Sequence, residues 1–236
     1  MGARPVAENK YNDRLFSGGI RKWFHMARFR WLGRTCSKYA PNPDCVVELG
    51  CFDGRAVGYL PGDFCKYYGF DANWDGGLEK AKSDFAGREN LNFQECRSPE
   101  EMKIDSNQKA SVIISLETLE HIPTEMLEGY LRKLKDTSGG YFFVTVPNEM
   151  GMVFLAKHLL KIFVYRDARS YAFNEAVYSV FGMTDKVRRK EHKGFNWRKL
   201  HRQISDYFEP IEVSGVQFPL LPTWLNMQIG LVYRAR

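Results

Sequence analysis

Five short apolar runs succeed one another along the first two thirds of the chain: Cys45 to Leu49, Lys66 to Phe70, Leu91 to Gln94, Val112 to Ser115 and Tyr141 to Val146. Each is followed by a stretch that reads as helix or as a polar connection. Apolar runs of strand length alternating with helical segments are the pattern of a parallel sheet covered on both faces. Pro147 stops the fifth run, and an aromatic, basic and partly helical stretch follows. A helix over Trp197 to Tyr207 and two late strands, Ile211 to Gln217 and Gln228 to Tyr233, complete the set. The expectation is a doubly wound α/β fold with a mostly parallel seven-stranded sheet over residues 41–236, interrupted by an aromatic and basic lid insertion at residues 150–190.

Residues 1–40 are expected to form a basic helical cap. Ile20, Trp23, Phe24, Ala27 and Trp31 recur at helical spacing while Arg21, Lys22, Arg28 and Arg30 take the other positions, so an amphipathic helix is expected to pack on the domain. Charge is distributed unevenly around the formal total of +6. The acidic block at 41–150 lies between two basic segments, 1–40 and 151–202, which favour an anionic partner or form a solvated basic surface. Five cysteines without a CxxC pair argue against a disulfide framework and for a reducing, cytoplasmic setting. The run from Met152 to Tyr165 is too short and too charged to span a bilayer, so peripheral membrane contact is the most a membrane role would amount to.

In open α/β sheets ligands bind beyond the carboxyl ends of the strands. The first strand ends in Glu48-Leu49-Gly50-Cys51-Phe52-Asp53-Gly54, a carboxylate followed by two glycines four residues apart. The second ends in Gly69-Phe70-Asp71, and a carboxylate there can accept hydrogen bonds from both hydroxyls of a ribose. A dinucleotide would need backbone amides close to a pyrophosphate, yet Phe52 stands at the middle glycine position and Glu48 would repel the phosphates. A cationic nucleoside suits these residues better.

On these residues the chain resembles the class I S-adenosylmethionine-dependent methyltransferases, whose acid-x-Gly-x-Gly-x-Gly motif it matches at Glu48, Gly50 and Gly54. It departs from that motif at Phe52. Ser111 to Ile122, with Leu119-Glu120-His121-Ile122, and Gly139 to Asn148 are similar to the fourth and fifth strands of the quinone-biosynthesis type. The resemblance implies the Rossmann-like methyltransferase fold and S-adenosylmethionine as cofactor. It implies that Glu48, Gly50, Cys51, Phe52, Gly54, Asp71, Ala72 and Cys96 belong to the cofactor site, with one of Glu95, Cys96, Arg97 and Ser98 facing the base and Leu116 or Glu117 lining the far wall.

Glu117, Glu120 and His121 stand at i, i+3 and i+4 on what reads as the first turn of the helix after strand four, and so are expected on one face. Together with the later His192, this spacing is similar to the metal-binding pattern of quinone-ring O-methyltransferases and of small-RNA ribose methyltransferases. Beside a purely structural role, in which the stretch merely caps a helix, two functional alternatives stand side by side. Glu117, Glu120, His121 and His192 would hold Mg2+ or another divalent ion, or His121 and His192 would act as an ordinary base or substrate-positioning pair. The implied activity is O-methylation of a small-molecule, glycan or lipid-linked acceptor. The alternatives are metal-assisted RNA ribose 2'-O-methylation, with nucleic acid the less favoured partner, and a non-catalytic scaffold in which Phe52 narrows the cofactor channel. The lid would set acceptor choice, with Phe154, Leu155, Leu159, Phe163 and Tyr165 among its apolar residues and a rim that includes Arg166, Arg169, Arg189 and Lys190.

Overall fold

The computed structural model describes residues 19–74, 76–105, 108–165, 171–188 and 193–236, without the side chains of residues 20, 21, 160, 161 and 163–165. Seven strands, β1 (Cys45–Leu49), β2 (Lys66–Asp71), β3 (Leu91–Glu95), β4 (Ala110–Leu116), β5 (Ser138–Pro147), β6 (Phe208–Gly215) and β7 (Gln228–Ala235), form one sheet in the order β3-β2-β1-β4-β5-β7-β6. β1 pairs in parallel with β2 and with β4, and β2 pairs in parallel with β3, as buried apolar runs predict. The last pair, β6 with β7, is antiparallel. The strand order reverses beside β1, which puts the Glu48-Leu49-Gly50 end at the kind of switch point where such sheets bind ligands.

Two compact units are distinguished by their internal contacts. The first holds the described residues up to Ile114 together with Thr137–Tyr141. Its helices are α1 (Gly19–Tyr39) and α2 (Gly77–Asp84). β1 is buried along its whole length, and the Ser111 hydroxyl ties its start to β4 by accepting from the amides of Asp44 and Cys45 and donating to the Cys45 carbonyl. α1 forms where it was expected, but its covered face differs. Ala27, Phe29, Trp31, Leu32 and Cys36 are buried, whereas Trp23 is exposed and lies under the Arg30 guanidinium. Phe29 stacks on Tyr59 in the short helical turn Arg55–Tyr59, and that contact decides which side of α1 is covered.

The second unit comprises Ser115–Asp136 and Phe142–Arg236. It contains α3 (Thr124–Thr137), α4 (Gly151–Tyr165), α5 (Phe173–Val180) and α6 (Trp197–Ser205). Asn196 caps α6, accepting from the amides of Arg198 and Lys199. Phe142, Phe208 and Tyr233 make a ring cluster in this unit, with Tyr233 hydrogen-bonded to His201 at 2.7 Å. α4 packs on α5 and on the short turn Thr223–Leu225.

Candidate active site

At the end of β1 the Glu48 side chain is buried, and the Tyr67 hydroxyl donates a short hydrogen bond to its Oε2. The register explains the meeting. Glu48 lies opposite Gly69, and Tyr67 is two residues before Gly69 on the same face of β2. A Cβ at Gly69 would come within 2.9 Å of the Tyr67 ring, so the bare glycine lets the ring lean toward Glu48. Burial pushes the Glu48 carboxyl up to about 8. The Tyr67 bond opposes that rise, and the negative charges of Asp53 and Asp71 reinforce it. The acid at the end of the strand is therefore buried and neutral over much of the ordinary pH range.

The turn that follows is built on backbone conformations unusual for L-residues. Gly50 and Gly54 have φ of 86° and 71°, and Phe52 has φ of 46°. Phe52 thus adopts at the middle glycine position the left-handed geometry that glycine normally supplies there. Two contacts hold it. Its amide donates to Asp71 Oδ2 at 3.0 Å, and its ring occupies the space beside Gly77 at the start of α2, where a Cβ would clash at 2.4 Å. The aromatic ring is therefore committed to the α2 contact, which removes the reason for reading Phe52 as the mark of a non-catalytic scaffold.

Asp71 is the hub of these strand ends. Oδ2 takes the Phe52 amide, and Oδ1 takes the Asn73 amide at 2.7 Å. Asn73, itself at φ 57°, accepts from the Leu78 amide at the N-terminal turn of α2 and donates to Glu79. One carboxylate so fixes the β1 turn and the β2 turn against each other. A carboxylate at such a strand end is the kind of acceptor that a ribose diol takes. Cys51 and Cys96 are buried, Ala72 is partly covered, and the Cys96 amide donates to the Asp71 carbonyl. Buried Asp53 pairs with Arg55 at 2.9 Å. Tyr67 and Asn73 are the residues that sequence reasoning passed over. The Tyr67/Gly69 spacing along one strand face was the available signal for the first, and an Asn two residues after a strand-end acid, a common turn former, for the second.

After β4 the expected helix face does not exist. Glu117 has φ of 56°, Leu119–His121 is a 3-10 turn, and α3 begins only at Thr124. Pro123 is the cause, because the residue before a proline is driven to extended backbone, and Ile122 has φ −71° and ψ 128°. Leu116 and Glu120 are buried, Glu117 is partly covered, and His121 is exposed with Nε2 3.9 Å from Glu120 Oε1. Among the described residues no three His, Cys, Asp or Glu side chains gather to hold a metal ion. Glu117, Glu120 and His121 therefore do not share the helical face expected of them, and they are not part of such a group. His192, the fourth expected ligand and the second expected base, lies outside the described residues. So do Arg166, Arg169, Arg189 and Lys190 of the expected lid rim, together with the side chains of Phe163 and Tyr165.

A family model described as "Methyltransferase domain" matches residues 24–204. No curated protein matches by sequence. In solved structures the chain is similar to an S-adenosylmethionine-dependent methyltransferase from Clostridium acetobutylicum, at 11% identity and a TM-score of 0.64 over 95% of this chain and 96% of that one. It is likewise similar to a SAM-dependent methyltransferase from Aquifex aeolicus, at 12% identity and a TM-score of 0.60 over 97% and 99%. A third likeness is to the N-methyltransferase NodS from Bradyrhizobium japonicum in complex with S-adenosyl-L-homocysteine, at 9% identity and a TM-score of 0.57 over 96% and 97%. With the motif turns standing on this sheet and the family model covering most of its length, the chain belongs to the methyltransferase-domain family and has the fold of the S-adenosylmethionine-dependent methyltransferases.

Proposed function

We propose that the protein transfers a methyl group from S-adenosylmethionine to a hydroxyl of a small-molecule, glycan or lipid-linked acceptor. The observation that carries the cofactor assignment is Asp71, whose two carboxylate oxygens fix the turns after β1 and β2 at the ends of neighbouring parallel strands, the position from which a carboxylate can accept from a ribose diol. Gly50, Cys51, Phe52 and Gly54 form the turn that approaches the nucleoside. Ala72 and Cys96 flank the base, and Leu116 and Glu117 serve on the β4 side. Glu48, next to that turn, accepts from Tyr67.

The sulfonium, when bound, supplies a methyl group open to in-line displacement. The chain must add alignment, exclusion of water and, for a hydroxyl acceptor, a place for the proton. His121 would fit that last role, its imidazole taking the proton that a hydroxyl acceptor must give up on methylation. The buried Glu120 carboxyl lies 3.9 Å from the imidazole Nε2. The aromatic and apolar segment over residues 150–190 is assigned to acceptor choice. Calorimetry with S-adenosylmethionine and S-adenosyl-L-homocysteine tests the reading. Both should bind the wild type, and Asp71→Ala should weaken both by at least about tenfold, the loss of one or two charge-assisted hydrogen bonds. No heat with the wild type would overturn the cofactor, and unchanged affinity in the variant would overturn the ribose assignment.

A further inference from the structure

Of the basic side chains described on α1, Lys22, Arg30, Arg34 and Lys38 are exposed, and Arg28 alone is drawn inward. Its guanidinium carbon lies 5.0 Å from the centre of the Phe29 ring, and its Nε is shut off from water with no hydrogen-bond partner among the described residues. Water is the cheapest partner a guanidinium can have, and every other described cation of this helix keeps it. A charged donor taken out of water without an acceptor is costly, so in a native fold it marks a place where an acceptor arrives.

The place is the turn that follows β1. α1 runs close along it: Phe29 stacks on Tyr59, a Cβ at Gly33 would come within 3.2 Å of the Tyr59 carbonyl oxygen, and Met26 Sδ accepts from the Arg55 guanidinium at 3.9 Å. Arg28 belongs to the same stretch of the helix. Its positive charge reaches the Glu48 carboxyl at the end of β1 and opposes the rise in its pKa, while the Glu48 charge reaches Cys36, about two turns further along α1.

The charges around this turn decide what the acceptor can be. Arg55 is already paired with Asp53 at 2.9 Å. Asp71 is engaged by the Phe52 and Asn73 amides. Glu48 titrates near 8, so at neutral pH it repels an incoming anion little. S-adenosylmethionine ends in an amino acid, whose ammonium meets acids in this turn and whose carboxylate needs a cation. A guanidinium, with donors arranged in a fork, is suited to a carboxylate. We infer that Arg28 binds the α-carboxylate of the cofactor's amino-acid end, on the α1 side of the Gly50–Gly54 turn. The inference rests on the cofactor assignment proposed above and adds the residue that reads that end of the molecule.

Calorimetry on the full chain tests it with two ligands, S-adenosyl-L-homocysteine and the analogue that lacks only its α-carboxylate. The wild type should bind the analogue about 10- to 100-fold more weakly, as loss of hydrogen bonds between charged groups does. Arg28→Gln should lose a similar factor toward S-adenosyl-L-homocysteine and nothing toward the analogue, whose unchanged binding also shows that the variant is folded. A wild type indifferent to the missing carboxylate would overturn the inference whatever the variant does, and would leave the cofactor assignment standing. So would an Arg28→Gln variant that weakens both ligands alike or neither. No heat with S-adenosyl-L-homocysteine in the wild type would overturn the cofactor assignment and the inference together.

Discussion

The strand ends of the first unit and the outer face of the second break the usual rule of burial in opposite directions. Around β1 and β2, acidic side chains go inside: Glu48 accepts from Tyr67, and Asp53 is held by Arg55. Over α4, α5 and the β6–β7 connection, leucines, phenylalanines and a tryptophan go outside. In both places the anomaly rests on polar groups that are satisfied internally, the Tyr67 hydroxyl in one case and the Asn226 amide in the other. The contrast teaches that neither a buried acid nor an exposed leucine is a packing fault when a dedicated hydrogen bond holds its backbone or its head group.

The sharpest break of the comparison is one substitution made in both units. Leu78→Ala, at a fully buried position in α2, should cost about 2–5 kcal/mol of stability in denaturant melts, as large-to-small changes in a packed core do. Removing the hydroxyl in Tyr67→Phe should cost about 1–3 kcal/mol by leaving a buried carboxyl without its donor, and should raise the Glu48 pKa further. A smaller and pH-dependent effect belongs to Glu48→Gln. The native acid titrates near 8 and the unfolded one near 4.5, so the native state binds the extra proton between those values. Its contribution to stability is complete below about 4.5 and is lost as pH rises through about 8. Melting temperatures across that window should fall with pH in the wild type more steeply than in the glutamine variant, and parallel curves would mean that Glu48 is not protonated when folded. Leu220→Ala, the exposed counterpart of Leu78→Ala, should move stability by no more than about 0.5 kcal/mol, and a core-sized loss there would show that the second unit's outer face is part of its packing.

Much of the fold was legible in the sequence. The run Cys45–Leu49 is a strand at those bounds, and the other runs form strands that extend one to three residues past the expected ends. Such runs are legible because burial on both faces demands continuous apolar residues. The Glu117/Glu120/His121 face was misread although the decisive residue, Pro123, stands in the sequence, because i, i+3, i+4 spacing has meaning only where the backbone is helical. Trp23 was misread for a different reason: periodicity locates the apolar side of a helix, while the neighbour that covers it, here Tyr59, comes from elsewhere in the chain.

By itself the sequence determined the order of strands and helices, the acid and glycine positions at the ends of β1 and β2, and the family they indicate, since each depends on residue type at short spacing. Tertiary structure alone decided that Glu48 is buried and accepts from Tyr67, that Asp71 joins two turns, and that Leu220 faces water. Those outcomes depend on which distant segments meet, and burial, hydrogen-bond partnership and the titration of a carboxyl are properties of that meeting and not of the residues one at a time.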